Sequence, residues 1–480
     1  MSATVSSTNY RALPLARPLA KLISRLRSSD RGQMLRATLV ITALVVAVKA
    51  CTLAKEMAVA RWFGAADALD AFYVALVLPT YLMTVVGDTF NAAFIPTYIE
   101  VREKEGAQAA ERLLSSIAAF DLAVLIGAAI VLALLHTWLL PLLGSSFGPK
   151  KLALTGSLFF MLLVWLSLGG LNSLWRAALN ARGHFALTAL VPALTPLVVL
   201  VLLVIAGSIW GVYALAIGTI VGVCAELALT GYALSIGGGA GLLPWWHGFD
   251  SSVRKVLGQY APLVAGGVLM ASTVLVDQAM AAMLGKGSVS ALNYANKLVG
   301  IPLNLGIYSV SIVVFPTFSL LTAKEDWPGL RRALKFYSFL LAIITIPLTL
   351  ALCFFSKPLV GLLFHGGAFT EQDVQLVGRV AALLCIQVPF YSIGVLYVRA
   401  ISALKRNQIL MWGTTISVVI NVVLNYLFMK VLGLPGIALS TSAVYAISCF
   451  YLWLMLTRTL KHHESAAQSN YVATAANSVL

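Results

Sequence analysis

Three cations, Lys49, Lys55 and Arg61, lie in or just after one apolar run. The next run, DAFYVALVLPTYLMTVVGDTFNAAFIPTY (70–98), carries Asp70, Asp88 and Asn91. Charged side chains are expensive in hydrocarbon and normally face a bundle interior or a watery cavity. Pro79 and Pro96 interrupt the second run, and the carbonyls they free need water or neighbouring helices. The pattern reads as the wall of a polar cavity inside a membrane protein. Lys49 is the sharpest candidate, with apolar residues on both sides, and Lys297 in NYANKLVGIP has the same character. Each is either a cavity cation for a substrate anion or a structural tie, Lys49 then pairing with Asp70 or Asp88. Asp88, Glu226 and Asp277 are candidates for carrying a proton or a cation, since desolvation favours a protonated carboxyl. The alternative for them is a hydrogen bond to a neighbouring helix. Glu56, Asp121, Asn296 and Arg379 also fall inside apolar runs, with no role assigned.

The chemistry of this set is binding rather than conversion. No Walker A pattern, GxSxG elbow or HExxH helix occurs. His136 and His184 are isolated, His462 and His463 belong to a polar segment, and none has metal spacing. The five cysteines all sit in apolar runs without a CxxC pair, so they read as small core residues. No metal, no cofactor and no enzymatic activity are expected.

These residues must be positioned by helices in a bilayer. Of 480 residues, 60% are hydrophobic and 11% charged, and mean hydropathy is +0.91. That composition defines an all-α polytopic membrane protein. The net charge of +15 follows from Lys and Arg in loops and tail, where they meet anionic headgroups, and does not imply nucleic acid. Apolar runs bounded by charge, Gly or Pro predict twelve spans, at about 34–56, 69–98, 113–141, 152–180, 185–207, 210–235, 256–284, 289–321, 332–356, 373–402, 409–431 and 434–457. Most Lys and Arg collect on one side of this topology, among them Arg25, Arg102, Arg182, Arg254, Arg331 and Arg406. Positive-inside logic therefore places both termini in the cytoplasm. Arg176, Arg182, Arg399 and Arg406, at span ends, read first as topology anchors.

The sequence repeats itself. WRAALNARGHF (175–185) answers VRAISALKRNQI (398–409), FIPTY (94–98) answers VFPTF (314–318), and GVYALAIG (211–218) answers GIALSTS (436–442). Six spans separate each pair, so the halves share orientation and form two parallel six-helix lobes around a central cavity. The expected organisation is a basic tail (1–33), an N-lobe (34–235), a linker (236–255), a C-lobe (256–460) and a polar tail (461–480).

The run VARWFGAADALDAFYVALVLPTYL with FNAAFIPTY (59–98) resembles the second-helix region of the MviN/MurJ family of lipid II flippases, in the multidrug/oligosaccharidyl-lipid/polysaccharide exporter superfamily. GSVSALNYANKLVGIPLNLGIYSVSIVVFPTFS (287–319), LFHGGAFTEQD (363–373) and VLNYLFMKVLGLPGIALSTS (423–442) resemble further segments of it. The resemblance implies alternating-access transport of an undecaprenyl-pyrophosphate-linked glycan, driven by the membrane potential or an H+ or Na+ gradient. It implies headgroup binding by Lys49, Lys55, Arg61 and Lys297, with Asp70 and Asp88 holding those cations or exchanging partners with them. Membrane lipids, and cell-envelope synthesis proteins, are the expected partners. Lysines stand where the family has arginines, and Leu82–Met83 stands where it has a basic pair. Two C-terminal helices that help form its lipid-tail groove have no counterpart. An exopolysaccharide repeat-unit flippase, a cation-coupled multidrug exporter and a non-transporting scaffold are the rival readings.

Overall fold

The computed structural model describes residues 30–236 and 243–477, so most of the basic tail and part of the linker lie outside the described residues. Twelve helical rods follow one another along them. They are α1 (Asp30–Phe63), α2a (Asp67–Leu82) joined by a π turn (Met83–Asp88) to α2b (Thr89–Lys104), α3 (Ala107–Leu143) and α4 (Pro149–Ala181). Next come α5a (Phe185–Leu190), a 3-10 turn (Val191–Ala193), α5b (Leu194–Trp210), α6 (Tyr213–Ile236), α7 (Ser251–Ala282) and α8 (Ser288–Ala323). The chain continues with α9 (Trp327–Phe364), α10a (Glu371–Cys385), α10b (Gln387–Ala403), α11 (Asn407–Leu432) and α12 (Leu434–Asn477). Among the described residues nine of these rods are long and apolar enough to cross a membrane; α7 and α8 contribute the shorter apolar stretches Gly267–Ala282 and Val314–Ala323. The chain is a multi-pass membrane protein.

Local chemistry sets the helix starts. Asp250 caps α7 by accepting from the Val253 amide at 2.7 Å, and Asp326 caps α9 by accepting from Gly329 at 2.8 Å. Thr370 and Asp373 form a reciprocal capping box at the head of α10a. Pro192 opens the 3-10 turn that breaks the fifth rod. The twelfth rod runs on through 461–477, so the polar segment after the last apolar run continues the helix.

The packing repeats as the sequence does. In the first half α1 packs on α5, α2 and α3 on α4, and α4 and α5 on α6. In the second half α7 packs on α11, α8 and α9 on α10, and α10 and α11 on α12. The two halves are joined chiefly by α7, which lies against α2a, α2b and α3 as well as against α11, and by α8 on α2a and α9 on α1.

One end of the bundle carries the basic loops and is called here the basic face. At it, Glu100 accepts from Lys104 at 3.0 Å and from Lys255, and the Lys255 ammonium, with Lys104, holds the exposed carboxyl down at about 2. The linker is pinned to α3 by Ser115 and Ser116, whose hydroxyls bond the backbone of Leu243, Trp245 and His247. Arg182, expected as a topology anchor, has its side chain buried at this face. It pairs with Glu111 of α3, donates to the Tyr98 hydroxyl of α2b at 3.0 Å and reaches the Leu234 carbonyl of α6. Removing one partner of a buried pair strands the other charge, at about 3–5 kcal/mol. Arg182→Ala is therefore expected to lower the thermal unfolding temperature of the detergent-purified protein strongly, whereas Arg406→Ala, exposed at the head of α11, leaves it unchanged.

Candidate substrate cavity and its gate

A cavity of about 770 Å³ lies between the halves, walled by α1, α2a, α4, α5 and α6 on one side and α7 and α8 on the other. Its charged lining is Lys55, Glu56 and Lys297, with Tyr73, Gln278 and Asn293 beside them. Glu56 is 3% exposed and is shared: one carboxylate oxygen pairs with Lys55, the other with Lys297. Lys297 also donates to the Tyr73 hydroxyl at 2.7 Å and sits over the Tyr73 ring, 4.7 Å from its centroid. The two lysines are part-exposed toward the cavity while the acid between them is buried, leaving one net positive charge facing the space.

Two turns beyond Lys297 along α8 the cavity is closed. Asp70 is fully buried and accepts four hydrogen bonds: from the Ser290 amide (2.8 Å) and hydroxyl (2.6 Å), the Gly287 amide (2.6 Å) and Lys151 (3.0 Å). It thus fastens α2a of the first half to the start of α8 in the second. Gly287 has φ +78°, and a Cβ there would sit 2.5 Å from the Ala65 carbonyl oxygen, so only glycine brings that amide to the carboxylate. Beside this latch the LFHGGAFT turn docks on the α1–α2a corner, the Ala368 amide donating to the Arg61 carbonyl at 2.8 Å. Gly367, φ +59°, lets that backbone approach, since a Cβ would lie 2.2 Å from the Arg61 oxygen. Phe369 of the turn is buried against Tyr294 and Phe364.

Of the residues expected from sequence, Lys55 and Lys297 meet in the cavity across the two halves. Lys49 lies on the surface of α1, outside the cavity lining, and Arg61 is exposed at the gate, where its backbone makes the contact. Asp70 holds Lys151 and the α8 start rather than Lys49, Lys55 or Lys297; Glu56 takes the part expected of it. The Asp88 side chain lies outside the described residues. Glu226 accepts from Asn172 at 2.7 Å and from the Thr195 hydroxyl at 2.6 Å, tying α4, α5b and α6 together. Asp277 accepts from Asn425 (2.6 Å), Asn421 (3.1 Å) and Thr441 (3.2 Å), which bind α7 to α11 and α12. The i,i+4 amide pair in INVVLNY and the adjacent Lys55–Glu56 were the sequence signals for these partners.

Helices in two repeating halves thus enclose a central cavity that inter-half contacts at Asp70 tie together at one end. Comparison with solved structures gives a TM-score of 0.74, over 87% of this chain and 87% of the other, to a lipid II flippase MurJ in an inward closed conformation, at 23% identity. An inward-facing multidrug resistance MATE family transporter of the MOP superfamily matches at 0.73 over 89% of this chain and 99% of the other, at 13% identity. The chain shares its fold with both structures. In sequence, the chain is 27% identical over 446 residues to the lipid II flippase MurJ of Burkholderia cenocepacia (88% of this chain, 84% of the relative). It is 26% identical over 414 residues to the probable lipid II flippase MurJ of Thermotoga maritima (84% and 81%). The family model described as lipid II flippase MurJ matches residues 59–479, and the chain belongs to that family.

Proposed function

We propose that the protein carries lipid II, or a closely related polyprenyl-pyrophosphate-linked glycan, from the cytoplasmic to the periplasmic leaflet of a bacterial inner membrane. The basic face lies in the cytoplasm and the Asp70 latch on the periplasmic side. One observation carries the reading: Lys55 and Lys297, from opposite halves, share a single buried acid at the wall of the cavity. A pyrophosphate has more acceptor oxygens than Glu56 and competes for both cations. Displacing Glu56 from Lys297 loosens a contact between the halves two turns below the latch, so headgroup binding biases the two states differently. Two cations against one acid is the wrong polarity for a small cationic drug.

The C-lobe site around Asp277 is proposed for the coupling ion. Besides the carboxylate it presents the Asn425 Oδ1, a buried acceptor with no partner among the described residues, and the Thr441 hydroxyl. Oxygen donors of this kind suit Na+ or a proton. Asp277→Asn is expected to keep the fold and to abolish the dependence of flipping on whichever gradient, Na+ or H+, drives the wild type, measured with imposed gradients in proteoliposomes.

The defining experiment is complementation of a strain depleted of its lipid II flippase, scoring growth and periplasmic lipid II. Rescue supports lipid II as cargo. Properly inserted protein that fails to rescue, but restores polymer secretion in an exopolysaccharide flippase mutant, would move the assignment to that glycan.

A further inference from the structure

A second cavity, of about 660 Å³, lies at the latch end of the bundle and shares no lining residue with the substrate cavity. The first half contributes Asp67, Ser146, Lys150 and Lys151, and the loop between α7 and α8 contributes Gly285 and Lys286. Its walls are tied across the halves. The Ser146 hydroxyl donates to the Ala282 carbonyl, and the Gly287 amide, next to Lys286, donates to Asp70 at 2.6 Å. Lys286 is thereby held at the same cavity as Lys150 and Lys151, although it belongs to the other half.

Charge is unevenly matched here. Lys151, whose side chain is 12% exposed, donates to Asp67 at 2.7 Å and to Asp70 at 3.0 Å and lies over the Phe147 ring. An ammonium has three hydrogens, so one is left for the cavity. Lys150 and Lys286 are exposed, and neither has an ion pair among the described residues, which include all of 61–70, 141–155 and 280–290. Counting Asp70 behind Lys151, three ammoniums meet two carboxylates, and Asp70 is already filled by the start of α8. The start of α4 adds to the excess. It begins at Pro149 without a side-chain cap, so the Lys150 and Lys151 amides have no acceptor inside the helix, and lysines occupy a turn whose dipole favours anions.

Like charges gathered from two halves repel, and an anion shared between them removes that cost. A phosphate group suits the space, since its several oxygens serve separated ammoniums at once and the volume falls in the range of small-molecule sites, about 300–1,000 Å³. Beside the cavity, Trp138 and Leu142 near the end of α3 and Met283 just after α7 are large exposed apolar side chains, which give an attached acyl chain an apolar surface. We propose that this cavity is a phosphate-binding site assembled jointly by the two halves, in which Lys150 and Lys286 hold the anion and Lys151 connects it to Asp70. Two sources present that chemistry at this end: the headgroup of an anionic phospholipid in the adjoining leaflet, and free phosphate. The site is separate from Lys55, Glu56 and Lys297 and does not depend on the cargo.

The test uses the full chain, purified in a maltoside detergent and phosphate-free buffer. Inorganic phosphate and dihexanoyl phosphatidylglycerol are titrated separately by calorimetry, with dihexanoyl glycerol as the phosphate-free control. All titrations are repeated in Lys297→Ala, which lacks the second half's cation in the substrate cavity, so binding there is recognised by its loss. Binding that survives Lys297→Ala is expected, and Lys150→Gln and Lys286→Gln are each expected to weaken it by about tenfold, since each removes one charge-assisted hydrogen bond. Both lysines are exposed and without an ion pair among the described residues, so these variants keep the fold. Lys430→Gln, an exposed lysine at the end of α11, is expected to leave binding unchanged. Phosphatidylglycerol binding tighter than inorganic phosphate, with the same sensitivity to Lys150 and Lys286, assigns the site to a lipid headgroup, and binding no tighter assigns it to free phosphate. The proposal is overturned if neither phosphate probe binds Lys297→Ala, if Lys150→Gln and Lys286→Gln leave the affinity intact, or if Lys430→Gln weakens it equally. None of these measurements reads flipping, so they stand or fall apart from the lipid II assignment.

Discussion

Lys297→Ala is expected to reduce the flipping rate of lipid II in proteoliposomes by about 10- to 100-fold, the equivalent of one charged hydrogen-bonding partner at roughly 1.5–3 kcal/mol. Lys297 supplies the second half's cation to the cavity, and it holds Glu56 and the Tyr73 hydroxyl at once. Without it Glu56 remains paired with Lys55, so the buried acid keeps a partner and the fold is preserved. The deficit then falls on the headgroup, which meets one cation where it met two. Lys297→Arg is expected to retain activity, because a guanidinium keeps the charge and offers a bidentate fork to phosphate. An alanine variant that flips at the wild-type rate would remove Lys297 from the substrate site.

The second large effect is at the latch. Asp70→Ala leaves the Gly287 and Ser290 amides buried without an acceptor and strips Lys151 of its buried partner. Breaking such a charged, hydrogen-bonded tie costs about 3–5 kcal/mol. The cost at Gly287 and Ser290 falls on the closed state alone, since those contacts join opposite halves, while the Lys151 pair lies within the first half and is shared by both states. At about 1.4 kcal/mol per decade the closed-to-open ratio drops by roughly two to four decades. Fluorophores at Lys150→Cys and Lys286→Cys, exposed on either side of the latch, report this by single-molecule energy transfer. Wild-type protein should give the high-transfer state and Asp70→Ala chiefly the low. A distribution unchanged by the substitution would show that the LFHGGAFT turn closes this end without Asp70.

Much of the architecture is legible from the chain because it is written locally. Apolar runs of membrane length, basic loops on one side and three paired segments six spans apart each depend on residues near one another in sequence. They imply helices, topology and two like halves, and the packing of α1 to α6 recurs in α7 to α12. The resemblance carried by residues 59–98 and 287–319 pointed to the family in the same way.

What the chain alone leaves open is which charges face one another. Lys297 and Glu56 are separated by 241 positions, and Asp70 and Ser290 by 220. Helical periodicity says that an acid is inside; it does not say which half supplies its donor. So Asp70 and Glu56 look alike as intramembrane acids, yet one ties the two halves through backbone amides and the other sits between two lysines at the cavity. Lys49, flanked by apolar residues in the chain as Lys297 is, is exposed on its helix and is not among the residues lining the cavity. Residue types and spacing determined that this protein builds a charged cavity between two membrane lobes. The docking of α7 and α8 across those lobes decided which charges meet in the cavity and which tie the halves together, because burial and pairing are properties of the assembled surfaces.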